Sequence, residues 1–235
     1  MADSDLKPAR AIAAERVAAV RGESADYGAA RQALLAEEIE VRRHLGRLAA
    51  QRRALPPGPV IEADYRFRDA EGEEVGLAGL FGDHDTLVTY FWMYGPDRAR
   101  PCPMCTNFVG GVNGNAADIA QRAAFKILGR SSVERQRAFA VERGWANTDF
   151  VQTIGDDYAR DFGLLGDDGA EYPGFAVYRK DGDQIRLFYA AEMPAEGADP
   201  GEDPRGPVDI APLWNILDMT PEGRGTDWYP KLSYA

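Results

Sequence analysis

The chain has two cysteines, and they stand together as Cys102-Pro103-Met104-Cys105. A pair at this spacing, opening a helix, suits dithiol redox chemistry. The first thiol faces the free amide donors of the first turn and the positive end of the helix, which favours its thiolate. Its pKa is expected to fall below the free-thiol value of about 8.5. One turn on, Cys105 lies on the same face, within reach of a mixed disulfide formed on Cys102. Cys102 therefore reads as the nucleophile and Cys105 as the resolving thiol. Pro103 suits the first helical position, where its missing N–H would have been unpaired. Arg98 and Arg100, in the preceding loop, are expected to add positive potential.

A zinc knuckle needs four ligands, and the two histidines, His44 and His84, lie upstream at unrelated positions, so no metal site is expected of this chain alone. Two readings outside catalysis stay open: a soft metal held by the two thiolates alone, and a scaffold whose thiols are only structural.

The elements that must position the dithiol are legible around it. Leu87 to Tyr94 is β-branched and aromatic, as in a central strand buried on both faces, and leads into the Cys-Pro-Met-Cys helix. Ala124–Leu128 predicts a second strand, and Ser131-Ser132-Val133-Glu134 a capping box that opens a helix ending near Gly144. Phe150–Ile154 predicts a third strand, followed by a loop or short helix rich in aspartate. This β-α-β-α alternation implies a sheet that is at least partly parallel. Before it, Tyr65–Arg68 and Val75–Leu77, turning at Asp69-Ala70-Glu71-Gly72, read as a β-hairpin that leads through Leu80-Phe81-Gly82 into the core. After it, Phe175–Tyr178 and Ile185–Tyr189 form a hairpin turning at Asp181-Gly182. The acidic stretch Ala195 to Pro207 is expected to be a mobile loop, and Ile210 to Met219 a closing helix.

Residues 1–58 read as a helical extension and 59–235 as the domain that carries the dithiol. Pro8 to Val20 is alanine-rich and helical, and a longer helix is expected from Asp26 to Arg53, ended by Leu55-Pro56-Pro57-Gly58-Pro59. Leu34, Val41 and Leu48 recur every seven residues, with Ile39 and Leu45 nearby. Such a stripe must pack either on the core domain or on a second subunit, which makes a homodimer through this helix one expectation.

With 235 residues, 45% of them hydrophobic, the chain can bury one good core without disulfide staples. Its net charge of −11 opposes binding to nucleic acid or to an anionic membrane surface. The acidic start, Met1 to Leu6, lacks the pattern of a secretory signal, so a cytoplasmic, reducing location is expected, where such a motif is more often catalytic than structural.

Strand, dithiol helix, strand, helix, antiparallel hairpin and last helix is the order of elements in the thioredoxin fold. The stretch Glu171-Tyr172-Pro173-Gly174-Phe175-Ala176-Val177-Tyr178 resembles the thioredoxin segment in which a cis-proline precedes a strand. By that resemblance Pro173 faces the dithiol and presents backbone to a bound substrate. Over nearly its whole length the chain is similar to a bacterial thioredoxin-like family of unknown function, known as predicted dithiol-disulfide oxidoreductases. The likeness is carried by Ala33-Leu34-Leu35-Ala36-Glu37-Glu38, Leu77-Ala78-Gly79-Leu80-Phe81-Gly82, Tyr90-Phe91-Trp92-Met93-Tyr94-Gly95-Pro96-Asp97, Arg143-Gly144-Trp145 and Asp157-Tyr158-Ala159-Arg160-Asp161-Phe162-Gly163.

The expected function is thiol-disulfide exchange on a disulfide-bearing protein or a small thiol, reset by an external reductant, with no cofactor beyond the Cys102–Cys105 disulfide. Pro103, Met104, Tyr172, Trp92, Tyr94 and Trp145 are the candidate substrate contacts, although such aromatics are more often core. The alternative enzyme is a thiol peroxidase of peroxiredoxin type. Against it, Ala99-Arg100-Pro101 stands before Cys102 where such enzymes carry a hydroxyl residue three positions earlier.

Overall fold

The computed structural model describes residues 6–16, 20–191, 193, 210–223, 225 and 228–234. The chain divides into two compact units, Met1–Pro56 and Pro57–Ala235. The acidic stretch 195–207 lies outside the described residues.

The first unit is a helical pair. Helix α1 spans Ala9–Arg16 and α2 spans Ala25–Arg53. Ser24 caps α2, its hydroxyl accepting the Tyr27 N–H at 3.2 Å. A small apolar cluster joins the two: Ala9, Ile12 and Ala13 against Leu35, Ala36 and Ile39. The alanines let the backbones approach closely, so short side chains suffice to bury this face.

The second unit is built on a seven-stranded sheet in the order β2-β1-β5-β4-β3-β6-β7. Its strands are β1 (Arg66–Arg68), β2 (Glu74–Gly76), β3 (Thr86–Phe91), β4 (Ala124–Gly129), β5 (Phe150–Ile154), β6 (Gly174–Asp181) and β7 (Gln184–Ala191). The pairs β3–β4 and β4–β5 are parallel, while β1–β2, β1–β5, β3–β6 and β6–β7 are antiparallel. The expected first hairpin is present, and it leads into a 3-10 turn, Leu77–Phe81, that buries Leu77, Leu80 and Phe81. Helices α3 (Pro103–Asn113), α4 (Ala116–Ile119), α5 (Val133–Glu142), α6 (Asp157–Asp161) and α7 (Pro212–Leu217) complete the unit.

Two cores lie against this sheet. One gathers Phe67, Leu80, Phe81, Leu87, Phe91, Leu128, Val151 and Tyr178 with Tyr158 and Ala159 of α6. The other gathers Tyr90, Trp92, Ile127 and Phe150 with Cys105, Phe108 and Val109 of α3 and Phe139 and Ala140 of α5. Successive β3 residues therefore serve opposite cores, which is why its sequence is apolar without alternation. A mixed sheet packed on both faces, with the dithiol helix leaving its central strand and an antiparallel hairpin at one edge, is a thioredoxin-like fold.

Candidate active site

The dithiol sits where β3 ends. The strand stops at Phe91, three residues short of the predicted Tyr94. Trp92 N–H still donates to Leu128 O (2.9 Å), after which the chain leaves the sheet and returns to place Cys102 N–H against Met93 O at 3.0 Å. Cys102 is the N-cap of α3 and Pro103 opens the helix, as its ring geometry favours. The Cys102 carbonyl accepts both the N–H and the Oγ1–H of Thr106, each at 2.9 Å, which locks the first turn.

Both cysteines are free thiols; Cys102 is half-buried and Cys105 buried. The Cys102 pKa is lowered to about 6. The largest cause is the neighbouring Cys105 thiol. The N–H groups of Cys105 and Met104 and the charge of Arg98 add to it, and burial opposes them. No side-chain capping bond of full geometry closes at Cys102, so the amides act mainly as dipoles aimed at the sulfur. Cys105 is held well above the ordinary thiol range, first by its hydrogen bond to Cys102, then by burial and by the Cys102 charge. The Met93 N–H and the Tyr90 hydroxyl work in the opposite direction, each favouring a Cys105 thiolate. Tyr90 was not singled out from the sequence. It reads there as one more strand aromatic, and its ring does pack on Phe108 at 4.3 Å between centroids.

The loop in front of Cys102 is clamped from two directions. Glu171, with a side chain only 4% exposed, accepts Gly95 N–H at 3.0 Å and Arg98 Nε–H at 2.9 Å, while Arg130 Nη1 lies 3.3 Å from its other oxygen. Arg135, from α5, donates to the carbonyls of Gly95, Pro96, Arg98 and Ala99 and lies over the Tyr94 ring at 4.7 Å. A Cβ on Gly95 would stand 2.3 Å from Glu171 Oε1, so glycine is required there. Ser131, buried, donates its hydroxyl to Gly95 O at 3.0 Å, and the cap of α5 is Ser132, whose Oγ accepts Arg135 N–H. This corrects the predicted capping box by one residue: the first serine is used by the loop before Cys102. Arg100 also departs from expectation. It pairs with Glu142 and lies over Phe139 at 4.8 Å, and it is not among the causes of the Cys102 shift.

Pro173 immediately precedes β6, whose Gly174 pairs with Phe91 at the end of β3. It therefore lies at the sheet end from which the dithiol loop departs, and Glu171, two residues earlier, ties that segment to Gly95. The candidate contacts fall into two groups. Pro103 and Met104, within the motif, are half-buried and Tyr172 is 41% exposed, so all three present surface to solvent. Trp92 and Tyr94 do not: they are 0% and 4% exposed, and Trp92 Nε1–H is bonded to Gln136 Oε1 at 3.0 Å. Their expected place in a groove is corrected to core. Trp145 is half-buried and stacks on Phe150 at an interplanar angle of 9°, next to Gly110 of α3, so it buttresses the dithiol helix. Among the described residues no group of three or more His, Cys, Asp or Glu is placed to hold a metal ion, and no helix is long and apolar enough to cross a membrane.

Among solved structures, the chain is similar to the peroxidoxin BcpB of Mycobacterium tuberculosis (21% identity over 58% of this chain and 85% of that one, TM-score 0.45). It is similar also to an uncharacterized conserved protein of Geobacillus kaustophilus (16%, 70% and 80%, TM-score 0.45). A third is the pneumococcal exposed lipoprotein thioredoxin Etrx1 of Streptococcus pneumoniae (13%, 57% and 93%, TM-score 0.40). No curated protein matches it. At these identities the chemistry has to be argued from this chain's own dithiol. One family model spans residues 17–234, and by that match the chain belongs to the family described as bacterial protein of unknown function, DUF899.

Proposed function

We propose that the chain is a thiol-disulfide oxidoreductase acting through Cys102 and Cys105. The observation that carries the reading is the division of the two thiols: one half-buried at a helix N-terminus with its pKa lowered to about 6, the other buried directly beside it and held protonated. At neutral pH this pair is one thiolate and one thiol, the combination that exchange requires.

In the forward direction the Cys102 thiolate attacks one sulfur of a substrate disulfide, whose other sulfur leaves as a thiolate, so a mixed disulfide forms. That step removes the Cys102 charge and its hydrogen bond, two of the three causes that hold Cys105 protonated. Burial remains, opposed by Met93 N–H and the Tyr90 hydroxyl. Cys105 then loses its proton and attacks Cys102 Sγ, releasing the second substrate thiolate and leaving the Cys102–Cys105 disulfide. Two electrons have passed to the substrate, and an external dithiol or thiol reductant restores the pair. Substrates consistent with the surface are disulfide-bearing proteins or small disulfides that lie across Pro103, Met104, Tyr172 and the backbone at Pro173.

The test is a pair of serine variants assayed on a protein disulfide and on a small one. Cys102→Ser is expected to lose all reduction. Cys105→Ser is expected to lose turnover but to accumulate mixed disulfides on Cys102, seen as a thiol-reversible mass increase. Retained turnover in Cys102→Ser, with no adduct on Cys105→Ser, would overturn the assignment.

A further inference from the structure

Helix α2 carries a second apolar face that α1 does not use. At about 100° per residue, Leu35, Ala36 and Ile39, which meet α1, fall on one side of the helix, and Tyr27, Leu34, Val41, Leu45 and Leu48 on the other. Tyr27, Leu34, Val41 and Leu45 are 57–59% exposed, which is unusual for four large apolar side chains on one stripe. The helix has 29 residues and is roughly 43 Å long, enough for four heptads against a partner.

The charges bordering the stripe indicate which partner fits. Asp26, Glu37, Glu38 and Glu40 lie in the N-terminal part, with Arg31 the only cation there, whereas Arg42, Arg43, Arg47, Arg52 and Arg53 lie in the C-terminal part. Glu38 and Arg42 flank the stripe on one side, Glu37 and His44 on the other. Among the described residues Glu37, Glu38 and Arg42 are exposed and form no ion pair. We infer that α2 is the interface of a homodimer, pairing antiparallel with α2 of a second copy about a two-fold axis at Val41. In that register Val41 meets Val41, and Leu34 meets Leu48. Glu38 of each copy lies beside Arg42 of the other, and Glu37 beside His44. A parallel pair would set Glu37 against Glu38, placing like charges together. The antiparallel pairing thus covers the stripe and sets Glu38 of each copy beside Arg42 of the other at its centre. It rests on the helix alone and is independent of the redox reading.

The experiment uses the full-length reduced protein in sedimentation equilibrium or light scattering. Twice the chain mass is expected for the wild type, and the monomer mass for Val41→Glu, whose side chain is already exposed, so that the fold, followed by circular dichroism, is unchanged. A monomeric wild type overturns the dimer. Orientation is read by single cysteines placed in the Cys102→Ser/Cys105→Ser background under mild oxidation. Val41→Cys is expected to cross-link to itself. Leu34→Cys and Leu48→Cys are expected to remain uncoupled alone and to cross-link only when the two proteins are mixed. Self-coupling of Leu34→Cys would overturn the antiparallel register. Glu37→Arg/Glu38→Arg should weaken dimerisation at least tenfold, and Arg42→Glu should restore most of the loss.

Discussion

Glu171 Oε2 accepts the Nε–H of Arg98 at 2.9 Å, joining the segment before Pro173 to the loop that delivers Cys102. The carboxylate is almost fully buried and Arg98 is about one-third exposed, so the pair is asymmetric: the acid needs the cation more than the cation needs the acid. Gly95 N–H and Arg130 complete the shell around the carboxylate. The loop that delivers Cys102 and the segment before Pro173 are in this way held together by one side chain.

Removing that carboxylate should be felt in stability first. Glu171→Ala leaves the buried Gly95 N–H without its acceptor and loosens Arg98 and Arg130, Arg130 keeping Asp156, and an unsatisfied buried donor costs about 1–3 kcal/mol. Gly95→Ala, which sets a Cβ against the same carboxylate, is expected to destabilise in the same way. Denaturant unfolding of both variants checks this. A loss under about 0.5 kcal/mol in both would show that the clamp contributes little.

The acidity of Cys102 has two consequences in the reduced protein. Alkylation by iodoacetamide should rise through a midpoint near pH 6 and plateau above pH 7, whereas an unperturbed thiol would still be rising. Folding stability should follow the same ionisation. Because the native state lowers the Cys102 pKa from 9.0 to about 6, the unfolded chain binds more protons between these values. The contribution is therefore fully present above pH 9 and is lost as pH falls toward 6, by at most about 1.4 kcal/mol per unit. Cys102→Ser should remove this slope from the unfolding free energy, and a slope unchanged in that variant would refute the attribution.

A stabilised thiolate also makes the disulfide the less favoured state. Sites with thiol pKa near 7 and near 3.5 have potentials of about −270 and −120 mV. A pKa of about 6 places the Cys102–Cys105 couple between them. Equilibration in glutathione buffers, read by alkylation and mass, should give a value within that span. Failure to form the intramolecular disulfide at all would remove the resolving role of Cys105.

What was legible in the sequence was local. Cys102 as the cap and Pro103 at the first helical position follow from residue preferences within one turn, and the alternation of strands and helices follows from periodicity. What was not legible depends on distant pairing. Gly95 and Glu171 are 76 residues apart, and nothing near either announces the other. Ser131 loses the capping role to Ser132 because the Gly95 carbonyl, 36 residues away, needs its hydroxyl. Gln136, a polar residue in the middle of α5, is fully buried, accepting from Trp92 and donating to Ser131 O at 2.8 Å. The aromatic run Tyr90-Phe91-Trp92-Met93-Tyr94 shows the same limit. Its residues are plainly apolar, but which reach substrate and which fill the core depends on where β3 leaves the sheet.

Tyr90 is where that distinction bears on mechanism. Its hydroxyl is buried, with Cys105 beside it, and its own pKa is held well above the ordinary range, by burial first and then by Cys105. It therefore stays protonated and acts as a hydrogen-bond donor to the resolving sulfur. That bond matters little while Cys102 is the thiolate, because Cys105 then keeps its proton. On the proposed mechanism, once Cys102 is tied up in a mixed disulfide, the donor stabilises the emerging Cys105 thiolate. Tyr90→Phe preserves the ring packing on Phe108 and removes only this donor. A hydrogen bond to a charged group contributes about 1.5–3 kcal/mol, so release of the mixed disulfide should slow by roughly 10- to 100-fold. Alkylation of Cys102 should change little. Stopped-flow kinetics with a chromogenic disulfide separates the two steps, the first thiolate released reporting attack and the second reporting resolution. Equal slowing of both steps would indicate a general disturbance of the site, whereas a slower second step alone identifies the Tyr90 hydroxyl as the group that readies Cys105.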